Sequence, residues 1–209
     1  MRKLLTLRFA AMASALLLCS SLILNSNARA QCTCPPLPTD DAQHNPASPP
    51  WTGPYSTTQT IDGCTVTICY ASRMTSTTNY DYCITQICVQ QPCATNIDQL
   101  RNDASAWLLN NNPQNYPCPT CPSRDIEWSE SMASCWKTYT TVYNGDTIVV
   151  HQMCPEHGWC LTAYYVCCGG PAGAGKHFTY DRRVTTTYQC KSDEGCNQVD
   201  CPPNRDNNQ

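Results

Sequence analysis

Eighteen cysteines in 209 residues constrain this chain more than any other feature. One of them, Cys19, lies in an N-terminal segment with the form of an export signal. Met1 to Ala30 has a basic start (Arg2, Lys3, Arg8), an apolar run from Ala10 to Leu24, and the small-residue pattern Ala28-Arg29-Ala30 before Gln31. The apolar run is about 15 residues, short of the roughly 20 that span a bilayer. Cys19 follows Leu18 rather than a small residue, so cleavage before Gln31 is expected rather than lipidation. Seventeen cysteines then remain in 179 residues, a density that marks a disulfide scaffold in an oxidising compartment. An odd count leaves at least one cysteine outside intrachain pairs.

Removing residues 1–30 takes four of the thirteen basic residues and none of the sixteen acids. Nine against sixteen leaves a net charge of −7, which argues against nucleic acid and anionic membrane surfaces as partners. No other stretch is apolar enough to span a membrane. Phe178 is the one phenylalanine left, so the core must be built from Cys, Trp, Tyr, Val, Ile and Leu.

The expected fold is mainly β: disulfide-rich antiparallel sheets, a hairpin plus a four-stranded meander, with one short helix. Residues 31–57 form a proline-rich arm that cannot be helix or central strand. Residues 58–123 hold a β-hairpin, the helix and a loop carrying Cys118-Pro-Thr-Cys121. The hairpin strands run from Thr58 to Tyr70 and from Tyr80 to Val89, both rich in Thr, Ile, Val and Tyr. The helix opens at Thr95 with Asp98 as capping partner, continues through Ile97, Leu100, Ala104, Trp107 and Leu108, and ends at Asn110-Asn111-Asn112-Pro113.

Residues 124–209 form the meander and a short disulfide-pinned tail. Its strands are Cys135–Tyr143, Asp146–Cys154, Trp159–Cys168 and His177–Cys190. Asn144-Gly145 predicts a tight type I′ turn between the first two.

In an antiparallel hairpin, opposed residues share one residue-number sum. Cys64 with Cys88 and Cys69 with Cys83 share the sum 152, which predicts two cross-strand disulfides about a turn at Ser76. In the meander, Cys154 is opposed both to Cys135 and to Cys160. The Cys135 site falls on the wider, hydrogen-bonded pair, which favours Cys154–Cys160. Cys167 and Cys168 point to opposite faces and take different partners.

Several clusters invite a chemical reading. His151, Cys154, His157 and Cys160 have a spacing suggestive of zinc, but residues three apart on a strand face opposite ways, and a tetrahedral site needs four convergent ligands. Cys118 and Cys121 have redox spacing without the βαβ context, so structural disulfides are expected there. The glycine-rich run from Gly169 to Lys176 is followed by His177, outside the phosphate-loop register. Asp125, Glu127 and Glu130 near Trp128 suggest glycosidase carboxylates, against the simpler reading of a solvated loop edge. No catalytic residue, metal site or cofactor is assigned.

Gly63 to Tyr70 with Tyr80 to Ile84, and Trp159 to Cys168, resemble strand patterns of uncharacterised cysteine-rich exported proteins of Bacteroidota and related bacteria. The resemblance implies a bacterial, exported, β-rich protein and no known activity.

The function expected is a secreted or cell-surface, non-enzymatic structural or adhesive protein, including a filament or matrix subunit. Thr138, Thr140 and Thr141 suggest solvated sheet faces, and partnering with itself is expected through the arm or the odd cysteine. The rival readings are a secreted carbohydrate-active enzyme, which buried carboxylates beside Trp128 or Trp136 would favour, and a periplasmic thiol or metal-binding protein.

Overall fold

The computed structural model describes residues 32–39, 49–93, 96–155, 158–169, 175–186 and 188–203. The segment read as an export signal (1–30) with Cys19, Thr95, His157 and most of the glycine-rich loop lie outside the described residues. The chain is mainly β with one helix and a largely antiparallel sheet. Its strands are β1 (Thr52–Ile61), β2 (Cys64–Met74), β3 (Asn79–Gln90), β4 (Glu127–Ala133), β5 (Cys135–Tyr143), β6 (Asp146–Met153), β7 (Trp159–Cys168), β8 (Lys176–Thr185) and β9 (Cys196–Gln198). The helix, α1, spans Ile97–Asn111.

Strand β3 organises the sheet. Every residue from Tyr80 to Val89 is buried, and β2 pairs along this length on one side. On the other side Asn79 to Ile84 pair in parallel with β4, whereas Gln86 to Gln90 pair antiparallel with β6. The sheet therefore forks. One branch continues β4–β7–β8 and the other β6–β5–β9. The chain crosses the fork at Ser134, where β4 leaves β3 and β6 enters between β3 and β5. Trp136 Nε1 and the buried Arg101 guanidinium both donate to the Ala133 carbonyl, at 2.7 and 3.1 Å. Arg101 also lies over the Trp136 ring at 5.1 Å and donates to the Asp200 carbonyl, which ties the tail to the same point. Burial lowers the Arg101 pKa to about 10. At this corner a Cβ on Gly158 would sit 2.1 Å from the Thr186 carbonyl oxygen, so glycine alone fits.

The fork corrects the expected meander. The hairpins β5–β6 and β7–β8 both form, but they lie in different branches. Both edges of β6 are occupied, by β3 and β5, so β7 docks on β4 instead. β4 itself reads as polar sequence yet is buried throughout.

A tight turn at Asp62-Gly63, with φ of 48° and 78°, divides the stretch read as one strand into β1 and β2. β1 begins at Thr52, inside the segment assigned to the arm, and carries Pro54 on a strand that pairs only with β2, a position where proline removes no ladder bond. The helix cap is Asn96 rather than Thr95: its side chain accepts from the Asp98 and Gln99 amides.

α1 covers one face of the sheet, packing Leu100, Ala104, Leu108 and Leu109 with Val66, Ile68, Ile87, Val89, Trp128 and Trp136. On a second cluster Trp51 and Leu37, from the arm, pack with Ala71, Cys83, Trp159 and Leu161.

Eight disulfides close the structure: Cys32–Cys88, Cys34–Cys69, Cys64–Cys93, Cys118–Cys168, Cys121–Cys167, Cys135–Cys190, Cys154–Cys196 and Cys160–Cys201. The pairs Cys64–Cys88, Cys69–Cys83 and Cys154–Cys160 do not form. The β2–β3 hairpin closes later than Ser76, with Met74 opposite Tyr80, and a bulge at Cys69/Tyr70 shifts it further. Cys69 thus faces Gln86 and Cys88 faces Thr67. Cys154, just after β6, and Cys160, on β7, lie in different branches, and each bonds to the C-terminal tail.

Peptide mapping of unreduced protein by mass spectrometry should recover these eight pairs, with Cys83 alkylated only after denaturation. Recovery of a Cys69–Cys83 peptide would contradict the β2–β3 register.

Candidate interaction surface

The sites suggested by sequence are taken up inside the fold. Glu127 and Glu130 are both buried beside Trp128, as an enzyme reading would require. They do not converge on one site. They are three apart on β4 and so face opposite sides of the sheet. Glu127 accepts from both guanidinium nitrogens of Arg182, one at 2.8 Å, and from Asn79 at 3.3 Å. These bonds raise the Arg182 pKa. Glu130 accepts from the Tyr164 hydroxyl at 3.3 Å. Asp81, opposite Ser129, pairs with Arg73 at 2.8 Å and accepts from the Ser129 hydroxyl. The solvated loop edge expected for Glu127 and Glu130 is thus replaced by a buried strand whose carboxylates are held by partners far along the chain; Asp125 stays exposed and accepts from Ser123.

Cys154 and Cys160 are in disulfides, and Cys118 and Cys121 bond to Cys168 and Cys167 rather than to each other. His151 is buried on β6, where its Nδ1 lies 2.8 Å from the Thr138 hydroxyl. Cys83, in none of the eight disulfides, is fully buried, and its thiol donates weakly to the Ile84 carbonyl. It is not placed to bond another chain.

The arm is likewise bound to its own body. Cys32 and Cys34 are bridged to β3 and β2, and Gln86 donates to the Thr33 carbonyl at 2.9 Å. Trp51 is buried, with the Arg73 guanidinium 4.1 Å from its ring centroid. The described residues of the arm thus pack on their own body, and they line a groove of about 250 Å³ against Gln152, Met153 and Pro155.

What the fold leaves open is the outer part of β5. Cys135 and Trp136 are buried, but every residue from Thr138 to Tyr143 is exposed. Three of the four exposed large hydrophobic side chains recorded among the described residues lie here: Tyr139, Val142 (66% exposed) and Tyr143. The inner edge of β5 pairs with β6 along its length. The outer edge pairs with β9 only at Cys135, Trp136 and Lys137. From Thr138 onward it has no strand neighbour among the described residues.

The backbone groups on this edge can be assigned. The Cys135 carbonyl accepts from the Cys154 amide toward β6, and the Ser134 carbonyl accepts from Val199 on the β9 side. Antiparallel pairing alternates, so Tyr139, Thr141 and Tyr143 bond to β6, while Thr138, Thr140 and Val142 direct their N–H and C=O groups outward. The ribbon ends at Asn144-Gly145, with φ of 52° and 91°, the expected tight turn. No charge lies between Lys137 and Asp146.

Comparison with protein-family models, curated proteins and solved structures finds no match to this chain.

His151 anchors the root of the ribbon, and burial lowers its pKa below the ordinary 6.5. The unfolded chain then binds more protons below pH 6.5, so stability falls as pH drops from 6.5 toward the folded-state pKa. His151→Gln should weaken that acid-side loss, measured as the difference in melting temperature between pH 7.5 and 5.5. An unchanged difference would exclude His151 as its source.

Proposed function

We propose that this chain is a secreted or cell-surface, non-enzymatic structural or adhesive protein that assembles through an exposed sheet edge. Eight disulfides support an oxidising compartment, and no helix among the described residues is long and apolar enough to cross a membrane. The observation that carries the reading is the outer edge of β5. It is six residues long, uncharged, rich in Thr, Tyr and Val, and offers outward hydrogen-bonding groups to an added strand. Soluble proteins ordinarily blunt such an edge with charge, proline or a covering element. Here the body is cross-linked at both ends, and no strand among the described residues covers this edge beyond Lys137. β1 and β8, outer strands elsewhere in the sheet, would let such contacts extend into a filament or matrix.

Thr140→Pro is the sharpest test. The lost N–H points outward, so the β5–β6 ladder keeps its bonds and stability should change by roughly 1 kcal/mol or less. Sedimentation should show self-association in the wild type and at least about tenfold weaker association in the variant. Equal association of the two, with the variant folded, would overturn the reading.

A further inference from the structure

We propose that two copies of this chain pair through β5, antiparallel, about a two-fold axis that passes through Thr141. The inference rests on the assembly reading above and names the partner: a second copy of this chain.

Symmetry and the existing neighbours fix the register. A two-fold axis normal to the sheet keeps each face on its own side, and opposed residues in a ladder share a face. The axis must therefore pass through a residue, not between two. Centring on Tyr139 or Thr140 would carry the hairpin tip of the second copy onto β9, which already occupies the edge opposite Lys137 through Cys196. Centring on Val142 leaves only that residue paired with an outward group inside the strand. Centring on Thr141 meets each requirement. Thr140 of each copy faces Val142 of the other through outward amides, and the tip passes Thr138, where β9 has ended.

The side chains suit the same register. Tyr139 faces Tyr143 twice, on non-hydrogen-bonded pairs, where Cα atoms approach to about 4.5 Å and aromatic pairs contribute most. Thr141 faces itself, a favourable uncharged pair. Tyr139, Val142 and Tyr143 are thereby all covered. Antiparallel pairing also brings Lys137 of one copy to the turn that carries Asp146 of the other, so opposite charges meet at each end.

The test uses the self-opposed position. Thr141 is exposed on the ribbon, away from the core, and the near-ultraviolet dichroism of each variant checks that it folds. Thr141→Lys and Thr141→Glu each set like charges opposite one another, so each alone should associate about tenfold or more weakly than wild type. An equimolar mixture should recover association as a mixed dimer, seen by native mass spectrometry. A wild type that stays monomeric across the concentration series would overturn the assembly reading itself. Association of both single variants at wild-type strength would leave assembly standing and remove β5 as its surface. Loss in both single variants without recovery on mixing would overturn the two-fold register.

Discussion

Strand β3 has two edges and three strand neighbours. That constraint shapes the rest of the structure. β2 takes one edge whole, and β4 and β6 divide the other at Thr85. Because both branches spring from one buried strand, the chain must cross between them at Ser134. The groups that fix this corner come from distant parts of the chain: Arg101 from the helix, Trp136 from β5, Gly158 before β7 and Val199 beyond β9. The fork also decides which edges remain. It pairs both edges of β4 and β6 and leaves the outer part of β5 exposed.

The disulfides act on the segments that the sheet holds least well. Two bind the arm, two bind the loop after α1, and three bind the C-terminal tail. Their sequence separations run from 29 to 56 residues. Loops of that size give each cross-link an effect of about 3–5 kcal/mol in the chain-entropy account. A body held in this way tolerates a strand β5 whose outer six residues are exposed.

Local chemistry was legible in the sequence and long-range chemistry was not. The turn at Asn144-Gly145, the strands beside it and the helix body follow from neighbours a few residues apart. Asp62-Gly63 carries the same turn chemistry, but the Thr-rich sequence on both sides reads as one strand across it. β4 is not legible as a strand because Glu127, Ser129 and Glu130 look solvent-facing until Arg182, Asp81 and Tyr164 are brought to them from 34 to 55 residues away. The disulfide register failed for a related reason: the β2–β3 hairpin closes later than Ser76 and a bulge at Cys69 shifts it further, and no residue pattern announces either. The exposed threonines of β5 pointed to solvated faces, whereas the open backbone edge beside them became visible only once β9 was seen to stop at Lys137.

Residue-resolved amide hydrogen exchange, followed from dilute to concentrated protein, tests the central claim most directly. In dilute solution the Tyr139, Thr141 and Tyr143 amides, bonded to β6, should exchange slowly, and those of Thr140 and Val142 should exchange fast. Raising the concentration should protect Thr140 and Val142 while the rest of the body stays unchanged. Fast exchange at Thr140 and Val142 at every concentration would contradict the claim that this edge is where the protein assembles.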